Sequence, residues 1–185
     1  MIQKIALMGV SGAGKDYLAS YLIDNHEFTR FSFSDQLKRL AQLIYPWLEV
    51  DYPPLVKEES LDIALPTGEI IKKSPRQIWL HLNSLREIEQ HIFIRMLDEE
   101  VAQADKMKGH SNILISDIRS TDELNWCQRN KFKVIYINNT KAVYQPYDID
   151  SQILENKDKA DFVFVNKHNG ISDFEAFYKS NISFH

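Results

Sequence analysis

The feature that most constrains this chain is a glycine-rich stretch near its beginning. It reads Met-Gly-Val-Ser-Gly-Ala-Gly-Lys-Asp-Tyr over residues 8–17. An apolar run at 4–8 precedes it, and a helical pattern with Leu18, Tyr21 and Leu22 follows it. A strand, a glycine-rich loop and a helix in this order form the setting of a phosphate-binding loop, or P-loop. The sequence therefore predicts an α/β domain in which this loop binds nucleotide phosphates.

The spacing within the loop matches seven of the eight positions of the P-loop motif. Gly9, Gly14 and Lys15 agree with Gly-x4-Gly-Lys, whereas Asp16 stands where Ser or Thr is usual. Because glycine allows backbone angles that a Cβ would forbid, successive N–H groups can turn toward an anion. The following helix adds the positive end of its dipole. Lys15 would supply a full positive charge to the β- and γ-phosphates.

Length and charge narrow the class of protein. The chain has 185 residues, which suits one domain with a substantial core. Its net charge of -4 argues against broad binding to a nucleic-acid polymer. The single cysteine, Cys127, excludes an internal disulfide and suits a reducing cytosol. The chain enters its first strand at once and has no apolar run near ~20 residues. We therefore expect no signal peptide and no membrane partner, and a cytoplasmic location (the host cytoplasm if the source is viral). A homodimer is left open.

Strands that alternate with helical patterns predict a parallel sheet with right-handed crossovers. The predicted strands are 4–8, 29–33, 112–116, 134–137 and 162–165. Capping patterns mark the starts of four predicted helices, namely Ser34 or Asp35, Ser74 with Pro75, Ser120 with Glu123, and Ser172 with Glu175. The predicted fold is a three-layer α/β P-loop NTPase fold, with a five-stranded parallel sheet flanked by helices. Its ligands should bind outside the carboxyl ends of the strands.

Helical and strand periodicity both fade between about 49 and 73. The stretch Pro-Thr-Gly-Glu at 66–69 could turn a small hairpin between Ile63 and Ile71. A long excursion inside a small α/β protein is more often functional than idle. We therefore predict a single domain, 1–185, with a substrate-side insertion at about 49–73 and a short lid at about 139–157.

A P-loop by itself does not choose between a GTPase, an ATPase and a kinase. A GTPase needs an Asp-x-x-Gly motif, which the sequence lacks, and Asn-Lys-His-Asn at 166–169 lacks the final acid of a guanine-reading motif. A motor or repair ATPase usually has a larger core. A small-molecule kinase needs cations beyond the P-loop that hold a second anion opposite the γ-phosphate. The candidates are Lys38, Arg39, Arg76, Arg119 and Lys141.

Several stretches, in order along the chain, resemble the phage-type deoxynucleoside monophosphate kinases. They are Gly-x-x-Gly-x-Gly-Lys-Asp at 9–16, Phe-Ser-Phe-Ser-Asp-Gln-Leu-Lys at 31–38, Ser-Pro-Arg at 74–76 and Ile-Ser-Asp-Ile-Arg at 115–119. The tail at 160–170 is also similar to that family's last strand and turn. The likeness spans nearly the whole chain, and the ordered set of motifs carries it.

The resemblance implies transfer of the ATP γ-phosphoryl group to a deoxynucleoside 5′-monophosphate, with ATP and Mg²⁺ bound. Lys15 would bridge the β- and γ-phosphates, and Arg119 would contact the transferring phosphoryl group. Asp16 would hold magnesium in place of the usual hydroxyl, and Asp117 would orient magnesium-bound water. The nucleotide-binding residues would be Ser11, Gly12, Ala13, Gly14, Lys15, Asp16 and Tyr17. The acceptor-binding residues would be Ser34, Asp35, Lys38, Arg76 and Arg119.

The chain departs from that family at three places. Tyr17 stands where the family commonly has Thr, the segment 139–157 contains Lys141 but no arginine, and His-Leu-Asn at 81–83 replaces Leu-Gly-Thr. Two other readings therefore stay open. One is a P-loop kinase for another small acceptor, such as dephospho-coenzyme A or phosphomevalonate, and the other is a non-catalytic nucleotide-binding module. Trp79 and Trp126 lie at helical spacing, which favours the core over stacking on a base.

Overall fold

The computed structural model describes residues 2–53, 55–108, 112–140, 148–167 and 170–182. The strands are β1 (Lys4–Met8), β2 (Phe28–Phe31), β3 (Leu61–Ala64), β4 (Ile70–Lys73), β5 (Asn112–Ile118), β6 (Lys133–Asn139) and β7 (Phe162–Asn166). The α-helices are α1 (Lys15–His26), α2 (Phe33–Ile44), α3 (Pro75–Leu82), α4 (Ile92–Lys108), α5 (Thr121–Arg129), α6 (Asp148–Asn156) and α7 (Ser172–Asn181).

Five of the strands form one parallel sheet in the order β2-β5-β1-β6-β7. β1 lies in the middle, where Ile5 is opposite Leu114 of β5 and Lys133 of β6. The predicted α/β fold with a five-stranded parallel sheet is therefore confirmed. Since β1 is central, the loop that follows it lies between the ends of its neighbours β5 and β6.

The central strands are apolar along most of their length because both of their faces are covered. In β1, Ile5, Ala6 and Leu7 have no exposed surface, and Ile115 of β5 and Val134 of β6 are equally buried. Near-continuous apolar runs are typical of parallel strands with layers on both faces. Burial of an isoleucine or leucine side chain contributes about 1.5–3 kcal/mol, so this layer holds the sheet together.

Two of the predicted helix caps are confirmed, and two are wrong. Ser74 and Ser120 each form a capping box, with Gln77 and Glu123 as the reciprocal partners. Ser172 instead lies inside α7, whose capping position is Ile171 without a side-chain bond.

The start of α2 also differs from its prediction. β2 ends at Phe31 and α2 begins at Phe33, so neither Ser34 nor Asp35 precedes the helix. Both lie in its first turn, and the Phe33 N–H is bonded by the carboxylate of Asp117 on β5. Local sequence could not reveal this cap, because the partner lies 84 residues away.

The residues divide into two compact units. The first, here called the sheet unit, comprises residues 1–33 and 97–185 and contains the parallel sheet. The second comprises residues 34–96 and is called the 34–96 unit.

The 34–96 unit has a small core of its own. Ala41, Leu48, Ile63 and Ile78 are buried together, with Trp79 among the half-buried side chains around them. Strands β3 and β4 pair as the predicted hairpin, with Ile63 opposite Ile71. The region predicted as an insertion is thus ordered by a short hairpin and by a 3₁₀ turn at Val56–Glu58.

The predicted lid at 139–157 is described only in part. α6 occupies Asp148–Asn156, whereas Lys141 lies outside the described residues. No helix in the described ranges is both long enough and apolar enough to cross a membrane.

Candidate phosphate-binding site

The P-loop connects β1 to α1 through two glycines with left-handed backbone. Gly12 has φ 75° and Gly14 has φ 92°, a region that side chains with a Cβ rarely adopt. Gly9 is required for a different reason, since a Cβ there would lie 2.9 Å from the Ile137 carbonyl oxygen of β6. The three glycines of the loop therefore shape it by two mechanisms, backbone angle and close packing.

Lys15 lies at the first position of α1 and folds back over the loop. Its Nζ donates to the Gly9 carbonyl oxygen at 2.7 Å and to the Val10 carbonyl oxygen at 3.0 Å. The residue is only 7% exposed. A buried cation held over a glycine-rich loop can reach an anion there with little loss of side-chain entropy.

Two asparagines at the carboxyl ends of neighbouring strands donate side-chain hydrogen bonds to carbonyl oxygens of the P-loop. Asn139, the last residue of β6, donates from Nδ2 to the Gly12 carbonyl oxygen at 2.8 Å. Asn166, the last residue of β7, donates from Nδ2 to the Ala13 carbonyl oxygen at 2.9 Å. Neither asparagine is among the site residues predicted from the sequence. The available signal was a polar amide at the carboxyl end of an apolar strand, where ligand-side residues of parallel sheets collect.

Asp16 offers a carboxylate beside the loop. It lies in the first turn of α1 and is exposed, and within the described part of the chain no group bonds its carboxylate oxygens. Magnesium prefers oxygen ligands and keeps several waters. The described residues include no cluster of three His, Cys, Asp or Glu side chains that could hold a metal. A single exposed carboxylate beside the loop fits an ion that takes one or two protein carboxylates and keeps the rest of its ligands as water or phosphate oxygens, as is usual for magnesium.

Two of the other residues predicted to bind the nucleotide lie on the surface, and a third is buried. Ser11 is exposed and Tyr17 is 59% exposed, whereas Ala13 has no exposed surface. The Tyr17 side chain therefore lies outside the interior packing of the loop.

Asp117 lies in β5, next to β1, and is buried. Its Oδ2 accepts from the Ser32 hydroxyl at 2.7 Å and its Oδ1 accepts from the Phe33 N–H at 2.9 Å. Both oxygens thus hold the turn from β2 into α2. Each carboxylate oxygen has a second lone pair, so this structural task does not by itself prevent contact with magnesium-bound water.

Arg119 follows β5 directly, at the same edge of the sheet as the P-loop. Its backbone N–H donates to Glu123 Oε2 at 2.8 Å, which ties the residue to the capping box of α5. Its side-chain Nε is buried and has no hydrogen-bond partner among the described residues. A buried donor in this state costs about 1–3 kcal/mol, which an anionic ligand would recover.

Lys38, in the 34–96 unit, is surrounded by acidic and aromatic side chains. Its Nζ lies 3.3 Å from Asp35 Oδ1 and 3.4 Å from Asp51 Oδ1. It also lies 5.6 Å from the centre of the Trp79 ring, a cation–π distance. The group formed by Lys38 and the two carboxylates carries a formal charge of −1.

Arg76, in the first turn of α3, is also paired. Its Nη1 lies 2.9 Å from Glu58 Oε1, and the side chains are 31% and 52% exposed. Ser34, the remaining predicted acceptor residue, is half-buried in the first turn of α2. The structure therefore gathers Lys38 with Asp35, and Arg76 with Glu58.

Trp126 is confirmed as a core residue. It is 5% exposed, packs edge-on against Phe33, and donates from its indole N–H to Asp98 at 2.9 Å. Trp79 is only half-buried, and its indole N–H has no partner in the described ranges.

A cavity of about 520 Å³ lies at the amino ends of β6 and β7, lined by Gln128, Lys131, Phe132, Lys133, Asp161 and Phe162. Ligands of parallel sheets bind at the opposite, carboxyl ends of the strands. We therefore place the functional site at the P-loop and not in this cavity.

A P-loop between the central strand and the first helix of this parallel sheet defines an α/β P-loop fold. No family model matches the chain, and no curated protein matches its sequence. Solved structures do match. Dephospho-CoA kinase from Campylobacter jejuni aligns with a TM-score of 0.55 and 16% identity over 98% of this chain and 96% of that chain. TT1252 from Thermus thermophilus aligns with a TM-score of 0.54 and 12% identity over 99% of each chain. At these identities the likeness shows the fold alone.

Proposed function

We propose that this protein is an ATP-dependent kinase that phosphorylates a deoxynucleoside 5′-monophosphate. The P-loop binds the ATP phosphates, and the product pair is ADP and a deoxynucleoside diphosphate. The residues assigned to ATP are Ser11, Gly12, Ala13, Gly14, Lys15, Asp16 and Tyr17. The catalytic residues are Lys15, Asp117 and Arg119.

The observation that carries the proposal is the cationic edge of the sheet at the P-loop. Lys15 is buried over the glycine-rich loop, and Arg119 follows the adjacent strand with a buried Nε that the described chain leaves without an acceptor. Two such cations suit a reaction in which negative charge spreads over the oxygens of a transferring phosphoryl group.

The chemistry needs positioning more than it needs acid–base catalysis. A phosphate oxygen of the acceptor attacks the γ-phosphorus of ATP, and the bond between that phosphorus and the β,γ-bridging oxygen breaks. The bridging oxygen keeps the electron pair and leaves with ADP. Because the second pKa of a phosphate monoester is about 6, the attacking oxygen is already ionised near pH 7 and no general base is required. Lys15 and Arg119 stabilise the charge on the leaving and transferring groups.

Magnesium would be held by Asp16, with Asp117 orienting a bound water. It would neutralise charge on the β- and γ-phosphate oxygens.

The acceptor's phosphate is assigned to the 34–96 unit, to Ser34, Lys38 and Arg76, with Asp35 holding Lys38 in place. Each of these cations is already bonded to a carboxylate. Acceptor binding therefore exchanges a carboxylate for a phosphate on Arg76, which is favourable because a doubly charged phosphate forms stronger bidentate bonds with arginine.

One observation favours a second candidate, a kinase for an acceptor with a neutral hydroxyl such as dephospho-coenzyme A. The group of Lys38, Asp35 and Asp51 is negative overall, which opposes a dianion. Asp35 is also buried, as a base for a hydroxyl acceptor would be. The fold is shared with a dephospho-CoA kinase, which is compatible with either candidate.

The test is ADP release from ATP–Mg²⁺ with each acceptor supplied separately. The acceptors are dAMP, dGMP, dCMP, dTMP, the four ribonucleotides, dephospho-coenzyme A and phosphomevalonate. A Lys15→Ala preparation purified in parallel measures any contaminating kinase. We expect turnover with one or more deoxynucleotides, and the pattern defines the base preference. Turnover only with a non-nucleotide acceptor, or ATP binding without any turnover, would contradict the proposal.

A further inference from the structure

The P-loop carbonyl groups are bonded by amides that belong to the sheet and not to the loop. We propose that Asn139 and Asn166 are positioning residues, which hold the P-loop in the shape that binds the nucleotide phosphates: Asn166 directs the Gly14 N–H, and Asn139 holds the tip of the loop. This inference rests on the proposed function for the identity of the ligand. It adds two residues that the P-loop motif does not contain.

Asn166 determines the direction of one N–H group. Its Nδ2 donates to the Ala13 carbonyl oxygen at 2.9 Å, and the residue is 8% exposed. In a planar trans peptide the carbonyl and the following N–H point in opposite directions. Because the Ala13 carbonyl is held toward β7, the N–H of Gly14 is directed away from Asn166.

Asn139 fixes the preceding peptide, whose N–H is bonded within the loop. Its Nδ2 donates to the Gly12 carbonyl oxygen at 2.8 Å. The opposite end of that peptide, the Ala13 N–H, donates to the Val10 carbonyl oxygen at 3.1 Å and closes the turn. Both ends of this peptide are therefore bonded, which holds the tip of the loop to β6.

The bonds also reduce electrostatic repulsion at the loop. Lys15 bonds the carbonyl oxygens of Gly9 and Val10, while the asparagines bond those of Gly12 and Ala13. A carbonyl oxygen turned toward a phosphate would repel it. Donors that hold these oxygens remove that repulsion before the ligand arrives, which is electrostatic preorganisation. When Lys15 moves toward a phosphate its bonds weaken, whereas the asparagines are anchored in strands.

The fit between Asn166 and Gly14 is close. A Cβ built on Gly14 would lie 2.5 Å from Asn166 Nδ2, a distance that real side chains do not tolerate. The second glycine of the motif is thus required both by its φ of 92° and by the amide packed against it.

The experiment measures binding of ADP and of inorganic tripolyphosphate by calorimetry. The variants are Asn166→Ala, Asn139→Ala and the matched control Asn138→Ala, which removes the neighbouring amide of β6. Tripolyphosphate isolates the contribution of the phosphates, because it has no base or sugar. Thermal unfolding of each variant is recorded alongside, and KM is measured separately for ATP and for the acceptor.

We expect Asn166→Ala to weaken both ligands by about tenfold and Asn139→Ala by about threefold, each the size of one lost hydrogen bond. The loss should be equal for ADP and tripolyphosphate, KM should rise for ATP and not for the acceptor, and Asn138→Ala should match the unsubstituted protein. Unchanged affinities in folded Asn139→Ala and Asn166→Ala would overturn the inference. If Asn166→Ala does not fold, Asn139→Ala decides the matter, because its amide is at the surface.

Failure of the inference and failure of the proposed function give different results. If the unsubstituted protein binds ADP but transfers no phosphoryl group, the kinase proposal fails and the calorimetry still tests the asparagines. If the unsubstituted protein binds neither ADP nor tripolyphosphate, both proposals are overturned. If the unsubstituted protein is an active kinase and the asparagine variants bind both ligands with unaltered affinity, only the inference is overturned.

Discussion

The lysine of the P-loop and the cations of the 34–96 unit form different kinds of hydrogen bond. Lys15 bonds neutral carbonyl oxygens, and Arg119 has a buried Nε without an acceptor in the described chain. Lys38 and Arg76 instead bond carboxylates. A hydrogen bond from a cation to a neutral carbonyl gives way to an anion more readily than an ion pair with a carboxylate does.

This contrast bears on where specificity for the acceptor can arise. Under the proposed function, the P-loop should bind nucleoside di- and triphosphates with little selection among them. In the proposed acceptor site of the 34–96 unit, an acceptor would have to compete with Glu58, Asp35 and Asp51 for the cations. Discrimination between acceptors is therefore expected to depend on those carboxylates.

The largest effect is expected from Lys15→Ala, which removes the charge held over the loop. We expect kcat to fall by about 10³-fold, since a preorganised cation acts directly on the transferring group. The measurement is steady-state ADP release at saturating ATP and acceptor. Lys157→Ala, which removes an exposed lysine of the same unit, is the control and should leave kcat unchanged. Normal turnover by Lys15→Ala would show that the loop has no catalytic part.

Arg119→Ala should reduce kcat by about 10²-fold, less than Lys15→Ala, because Lys15 is assigned to both the β- and the γ-phosphate whereas Arg119 is assigned to the transferring group alone. Its effect on stability should have the opposite sign. Removing a buried donor that has no partner in the described chain should leave the unfolding midpoint equal or slightly higher. Arg129→Ala, an exposed arginine on α5, is the matched control. A large loss of stability in Arg119→Ala would point to a structural role and against the assignment.

Glu58→Gln tests whether the carboxylate paired with Arg76 limits binding of the acceptor. Because the substitution removes the carboxylate that bonds Arg76, we expect KM for the acceptor to fall by about threefold. Arg76→Ala should raise that KM by about tenfold, as loss of a charged hydrogen bond does. KM for ATP should be unaffected in both variants. Glu59→Gln, which changes the next exposed carboxylate, serves as the control. An unchanged KM in both Glu58→Gln and Arg76→Ala would remove Arg76 from the acceptor site.

The fold could be predicted from sequence because its signals are local. Apolar runs such as 4–8 and 112–116 indicate strands that are buried on both faces. In each capping box the two partners are three residues apart, Ser74 with Gln77 and Ser120 with Glu123. The start of α2 was predicted wrongly because its cap is a carboxylate from a strand 84 residues further on. Local patterns carry no information about such a partner.

The site was predictable to the extent that motifs name its residues. The P-loop motif identified Gly9, Gly12, Gly14 and Lys15, and the structure gives each a geometric reason. It could not identify Asn139 and Asn166, since these amides reach the loop only through the order of strands in the sheet. Nor could a sequence reveal that Lys38 and Arg76 are paired with acids, because charge pairing depends on tertiary packing.

The smallest effect is expected from Asp51→Asn, and it separates exposed from buried carboxylates around Lys38. Asp51 is 84% exposed, whereas the side chain of Asp35 is only 7% exposed. Since exposed ion pairs contribute about 0–1 kcal/mol, Asp51→Asn should change the free energy of unfolding by less than about 0.5 kcal/mol and the acceptor KM by less than about twofold. Asp35→Asn should destabilise the protein by about 1–3 kcal/mol, because it disturbs a buried hydrogen-bonded group. Urea unfolding measures the free energy of unfolding of both variants, and steady-state kinetics measures the acceptor KM. If the two variants were equally destabilised, burial would not distinguish Asp35 from Asp51. The two carboxylates beside Lys38 would then act as one surface charge screened by solvent, and they would not form an ordered electrostatic barrier to the acceptor.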